Sequence, residues 1–222
     1  MAKTSFDFKS IRCEHHHDYL THPSCIFKMM AEGIDKPQWY KDATIGYLDI
    51  ETSNLNPTFG VMFSWAIQDK DGAIHSDMMS VSKGDFHWSV QDSRVVRNLV
   101  KQIANYNIII TFYGSRFDIP FLRSRAMKWG CLFPGYGSVL QLDMYYVCRS
   151  KLNLHRGSLK AVSRFLGIEG KDDIEPDLWV KALFGHKESI DLIHEHNVWD
   201  VKVLQEVHKR MEPYIKGTRT SL

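Results

Sequence analysis

The chain's 222 residues suit one domain with at most a small appendage, and an apolar content of 44% with 12% aromatic residues excludes general disorder. A formal net charge of +2 leaves any polyanion binding to local patches rather than to the total. No run approaches the ~20 apolar residues that span a bilayer, and the start of the chain lacks the apolar core of a secretory signal, so a cytoplasmic protein without a membrane partner is expected.

Residues 1–40 are histidine-rich and interrupted by Pro23, Gly33 and Pro37. Within them, Cys13 and His15 are separated by one residue, and His22 and Cys25 by two. Two short-spaced thiol and imidazole pairs across a loop suit a tetrahedral structural Zn²⁺, with His16 or His17 as alternatives to His15. A segment with little core of its own would take its order from such an ion. A solvated polar loop is the competing reading. The four cysteines, at 13, 25, 131 and 148, do not form the dense framework of a secreted mini-protein.

Residues 43–52 read as a strand, apolar and then abruptly charged. Side chains alternate at period two, so Asp49 and Glu51 share a face. Two carboxylates on one face at the end of a buried strand repel each other, and a divalent cation between them relieves that repulsion. After a turn at 54–57, residues 59–68 and 73–81 read as a hairpin closed by a DKDG turn. Asp92 or Ser93 starts a helix to about Asn105 with Val95, Val96, Leu99, Val100 and Ile103 inward. Residues 107–112 then form an interior strand, a parallel neighbour of the first strand reached through that helix.

Asp118 precedes Ile119 and Pro120, the order of a helix start, where an acid is comfortable with or without a metal. Its position after a second interior strand lets it approach Asp49 and Glu51. A brief strand at 138–142 leads to Asp143, which could orient the site from behind its metal ligands or cap the helix that follows, the cap being the preferred reading. Leu159, Val162 and Phe165 mark a short amphipathic helix, residues 178–184 a further one, and residues 187–211 a long one that stops before Pro213. On the long helix His196 and Asp200 are four apart and project from one side. That geometry serves a fourth carboxylate beside a general base, or an ordinary surface pair.

Basic residues gather at Arg116, Arg123, Arg125 and Lys128, and again at Arg149, Lys151, Arg156 and Lys160. Each group reads equally as a phosphate-facing patch or a solvated helix face. Phe59, Trp65, Tyr113 and Trp129 include candidates for stacking on a base, and each reads equally as core.

Taken together, DIE at 49–51, FDIPFL at 117–122 and HNVWDV at 196–201 resemble the three motifs of the DEDD exonuclease superfamily, closest to its YprB-like branch. The resemblance spans residues 45–207 and leaves out the Cys/His-rich start. It implies an α/β, RNase H-like mixed central sheet flanked by helices over residues 41–215, with the irregular segment 1–40 before it and a polar tail, 216–222, after it. It further implies a 3′-to-5′ exonuclease that uses two Mg²⁺ or Mn²⁺ ions on the 3′ ends of single-stranded DNA or RNA, DNA being preferred here, and releases nucleoside 5′-monophosphates. By the same resemblance Asp49, Glu51, Asp118 and Asp200 bind the metals, and His196 helps to activate water. Tyr113, where related sequences often carry asparagine, is a candidate substrate contact with Arg116 and Arg123. A weakly active nucleic-acid-binding scaffold and a zinc-organised protein–protein adaptor are the alternative functions.

Overall fold

The first strand, β1 (Ile45–Thr52), is buried on both faces, which is why its sequence is nearly continuous in apolar residues until the acids. Ile45 and Tyr47 face one way, Leu48 and Ile50 the other. β2 (Met62–Asp69) and β3 (Ile74–Met78) follow as an antiparallel hairpin. Its turn relies on Gly72, whose φ of 94° lies in the left-handed region that glycine enters freely. The computed structural model describes residues 10–13, 15–18, 22, 25, 38–81, 92–170 and 174–215. The expected polar tail and most of the N-terminal segment lie outside the described residues, which resume at α1 (Gln38–Asp42).

Helix α2 (Ser93–Ile103) carries the chain across the sheet to β4 (Ile108–Thr111), which pairs parallel with β1. Helix α3 (Asp118–Lys128) then leads to β5 (Leu140–Asp143), parallel to β4. The result is a five-stranded mixed sheet of order β3-β2-β1-β4-β5, with β1 in the middle as expected. Among the described residues four further helices follow: α4 (Met144–Lys151), α5 (Leu159–Phe165), α6 (Pro176–Leu183) and α7 (Lys187–Met211). A 3₁₀ turn at Glu212–Tyr214 ends α7 where Pro213 forbids another helical bond.

Two apolar clusters hold these layers. One joins Leu48, Ile50, Trp65 and Ile109 to α2 and α3. The other joins Tyr47, Ala66, Ile110 and Leu142 to Val201, Leu204 and Val207 of α7. Helix α7 crosses β2 and β1 and contributes to both, since Ile190 and Ile193 belong to the first. His196, Asn197 and Asp200 fall where it passes from one cluster to the other. Among the described residues no helix is long and apolar enough to cross a membrane.

Two sequence expectations fail here. Phe165 is 64% exposed while Val162 is buried, and Arg125 does not belong to a phosphate-facing patch. Its guanidinium is buried and forked onto Asp92, Nε donating to Oδ2 at 2.7 Å and Nη2 to Oδ1 at 2.6 Å. Asp92 also accepts from the Met62 amide and from Trp129 Nε1. One ion pair thus ties the start of β2 and the start of α2 to α3. Cutting one partner of a buried pair strands the other charge, so Arg125→Ala is expected to cost about 3–5 kcal/mol. Urea unfolding checks this, and a loss below about 1 kcal/mol, the scale of an exposed pair, would contradict the buried role.

Candidate metal centre

Asp49 and Glu51 lie on the β1 face that α7 covers, opposite Ala66 and Ser64 of β2. A register irregularity falls immediately after Glu51, the kind of bulge that re-aims side chains beside a site. The parallel ladder with β4 spans only Ile45 to Tyr47, so β1 outruns its neighbour before it reaches the acids. The Ile50 amide, beyond that ladder, donates to Asp118 Oδ1 at 3.2 Å. Asp118 arrives there because the chain turns sharply between β4 and α3. Gly114 permits the turn: a Cβ there would lie 2.4 Å from Cβ of Thr111. Tyr113 holds a φ of 67°, a strained conformation for a bulky residue and an easy one for asparagine. Its amide donates to Asp143 Oδ1 at 2.7 Å, and the Ser115 amide and hydroxyl donate to Oδ2 at 2.9 and 2.6 Å.

From the third segment, α7 delivers His196 and Asp200, with Nε2 of the imidazole 3.5 Å from Asp200 Oδ2. Ligand atoms of Glu51, His196 and Asp200 all lie within 4.8 Å of one another. The electrostatics join the remaining acids to this group. Burial pushes the Asp49 carboxyl well above the usual carboxylate range, and the charges of Glu51, Asp118 and Asp200 push it further. Glu51 is raised by burial and then by Asp200 and Asp118. Asp118, only 4% exposed, is pushed up to about 7 by burial, with the Asp143 charge adding to it. Four carboxylates from three distant stretches therefore crowd the C-terminal end of the central strand β1 and repel one another.

A family model described as the RNase H superfamily matches residues 46–212, well over half of the chain. The chain belongs to the RNase H superfamily. A solved structure of the family B DNA polymerase from the hyperthermophilic archaeon Pyrobaculum calidifontis is similar with a TM-score of 0.59 at 18% identity. The match covers 80% of this chain and 25% of that one, so this chain corresponds to about a quarter of that polymerase and shares its fold over that part. No curated protein matches the sequence. The expectation of an RNase H-like α/β fold with a mixed central sheet is met.

Around this RNase H-like centre the sequence reading missed a positioning residue. Asn197 is fully buried; its Nδ2 donates to Asp49 Oδ2 at 2.6 Å, and its Oδ1 accepts from Ser64 Oγ at 3.2 Å. The signal was an asparagine four residues after Ile193 and four before Val201, within the buried stripe of α7. Asp143 does more than cap α4 at the Tyr145 amide, because it also pins the loop that aims Asp118. Lys160 and Arg164, four apart on α5, line a crevice shared with His196 and Asp200. Of the aromatic candidates, Trp65 is core, its Nε1 bonded to the Val95 carbonyl, and Trp129 is held by Asp92. Phe59 and Tyr113 are exposed. Arg116 and Arg123 are exposed too, Arg116 bonded to the Tyr146 hydroxyl and Arg123 resting on the Phe133 ring.

A second cluster lies in the N-terminal segment. Ligand atoms of Cys13, His15, His17 and Cys25 are within 4.8 Å of one another. His22 stands beside them, its Nδ1 2.8 Å from Cys25 Sγ. Cys13 is buried and belongs to the same apolar cluster as Tyr40, Ala43 and Val201, so the thiol and imidazole group is seated on the α7-facing core.

Proposed function

We propose that this protein is a metal-dependent 3′-to-5′ exonuclease that hydrolyses single-stranded nucleic acid, DNA by preference, to nucleoside 5′-monophosphates. The observation that carries the reading is the convergence of Asp49, Glu51, Asp118 and Asp200, four carboxylates whose burial and mutual repulsion raise Asp49 and Glu51 well above the usual carboxylate range. Carboxylate oxygens suit hard divalent ions, and Asp49, Glu51, Asp118 and Asp200 would hold two of them, Mg²⁺ or Mn²⁺. Such ions, when bound, supply an activated water and charge neutralisation at the phosphate and at the departing 3′ oxygen. Asn197 orients Asp49, and Asp143 orients the loop before Asp118. His196 directs Nε2 at the acids and is the residue in reach to take a proton from water. Lys160 and Arg164 on the facing helix meet the substrate phosphate, and exposed Phe59 and Tyr113 offer faces to the terminal base. Purified protein incubated with oligonucleotides labelled separately at each end should shorten them stepwise from the 3′ end with Mg²⁺ or Mn²⁺. Activity that persists in EDTA would end the two-metal reading, and saturable binding without turnover would favour a nucleic-acid-binding scaffold.

Residues 41–215 form the catalytic unit in this reading, and residues 1–40 form a zinc-binding appendage. Sulfur and nitrogen donors suit Zn²⁺ rather than the ions of the acid centre. Cys13, His15 and Cys25 supply three ligands, with His17 or His22 the fourth. Elemental analysis of protein made in zinc-sufficient medium should find about one zinc per chain, the content of one four-ligand site. Cys13→Ala and Cys25→Ala should each lose it and lower the melting temperature, since zinc binding is folding free energy here. Zinc-free wild type with an unchanged melt would leave the cluster as an ordinary polar loop.

A further inference from the structure

Residues 144–168 contain five Lys or Arg residues and no Asp or Glu, in a chain whose net charge is only +2. This run builds a groove of about 390 Å³ between α4 and α5, lined by Tyr145, Arg149, Asn153, His155, Gly157 and Val162 among others. The groove begins beside the acid centre. Tyr145 packs edge-on against Tyr113 with ring centroids 4.7 Å apart, and the same Asp143 oxygen accepts both of their amides. Arg149, one turn further along α4, donates to the Tyr145 hydroxyl at 2.8 Å and is exposed. Gly157 forms the opposite wall, where a Cβ would come to 3.2 Å from the Tyr145 ring. Beyond the groove, Lys160 and Arg164 continue the cationic band to His196 and Asp200.

A centre of four carboxylates repels any polyanion that approaches it, so its substrate needs cations placed just outside. We infer that the α4–α5 groove is the binding track for the single strand leading to the acid centre, with bases stacked on Tyr145 and backbone phosphates paired with Arg149. The inference rests on the nuclease reading, which supplies the strand, and it adds a subsite that recognises nucleotides upstream of the scissile bond. A ring beside an exposed guanidinium suits a stacked base next to a phosphate. Contacts of this kind favour strands of several nucleotides over a mononucleotide.

The test is fluorescence anisotropy with labelled dodecathymidylate, dodecauridylate and trithymidylate, in EDTA so that nothing is cleaved. Arg149→Glu should weaken dodecamer binding about tenfold or more and flatten its salt dependence, each lost phosphate contact removing about 0.7 from the slope of log K against log salt. Tyr145→Ala should weaken it about fivefold or more, and Arg149→Lys should restore most of the slope. The trimer should bind weakly to every form. The thymine and uracil arms say whether the track discriminates DNA from RNA, and weakening of either one supports it. Folded Arg149→Glu and Tyr145→Ala that both bind the dodecamers as the wild type does would overturn the track. Hydrolysis of the p-nitrophenyl ester of thymidine 5′-monophosphate with Mn²⁺ reads the acid centre separately. Wild type unable to cleave either ester or oligomer would overturn the nuclease reading, while anisotropy still decides the track.

Discussion

Asp49→Asn is expected to abolish nucleotide release, by about 10³-fold or more, while leaving the fold intact. Outer-shell partners of a metal site are typically worth about 10–100-fold, and Asp49 stands in the centre itself. The substitution removes a charge and little volume, and an amide oxygen can still accept the bond from Asn197 that now goes to Asp49 Oδ2. Stability should move the opposite way. Without metal, Asp49 is buried among Glu51, Asp118 and Asp200 and repelled by all three, so D49N should melt a few degrees higher than wild type in EDTA. In a chain of this size 1 kcal/mol is worth about 2–4 °C. With saturating Mn²⁺ the order should narrow or reverse, because the wild type gains binding free energy that the variant lacks. Scanning calorimetry of both proteins in EDTA and in Mn²⁺, beside the end-labelled assay, gives all four numbers. A D49N protein that digests DNA or RNA at the wild-type rate would dispose of the two-metal assignment. One that melts lower than wild type in EDTA would say that the carboxylates are not in conflict.

Much of this centre was legible because its signals are local. The same-face pair at 49 and 51 follows from strand alternation, and Asp118 from a helix start after an interior strand. The bounds of α7 at 187 and 211 follow from its apolar spacing and from Pro213. What stayed hidden depends on partners distant in sequence or on the turn of a short helix. Arg125 reads as surface charge until Asp92, 33 residues away, is seen beneath it. Trp65 reads as a stacking candidate, but β2 is covered on both faces, and its ring lies against α2. Phe165 fails for a geometric reason. Steps of three residues fall short of a full turn, so positions 159 and 165 are about 120° apart on a helix. Val162 between them is buried, and Phe165 is carried out to solvent. Asn197 was visible as a letter in a motif, but its task of holding Asp49 appears only when α7 is laid across β1.

His196→Ala is the variant that separates catalysis from metal binding, and it is expected to lose about 10²-fold in turnover, the scale of general-base assistance. The imidazole lies one helical turn from Asp200 with Nε2 3.5 Å from its carboxylate, and its ligand atom is within 4.8 Å of Glu51 as well. It therefore stands in reach of a water held at the acids without being needed to supply their negative charge. Manganese affinity, read by calorimetric titration, should change far less in H196A than in D49N. The loss should appear in kcat rather than in KM, because a proton acceptor acts in the transition state and contributes little to ground-state binding. His196→Gln keeps a polar side chain of similar reach without a basic nitrogen, so it should behave as H196A does. If either variant retains wild-type kcat within about twofold, well short of general-base assistance, His196 is a neighbour that orients Asp200 and the base must be sought among the carboxylates. If instead both lose manganese binding along with turnover, the imidazole belongs to the metal shell, and Glu51, His196 and Asp200 act as one ligand set.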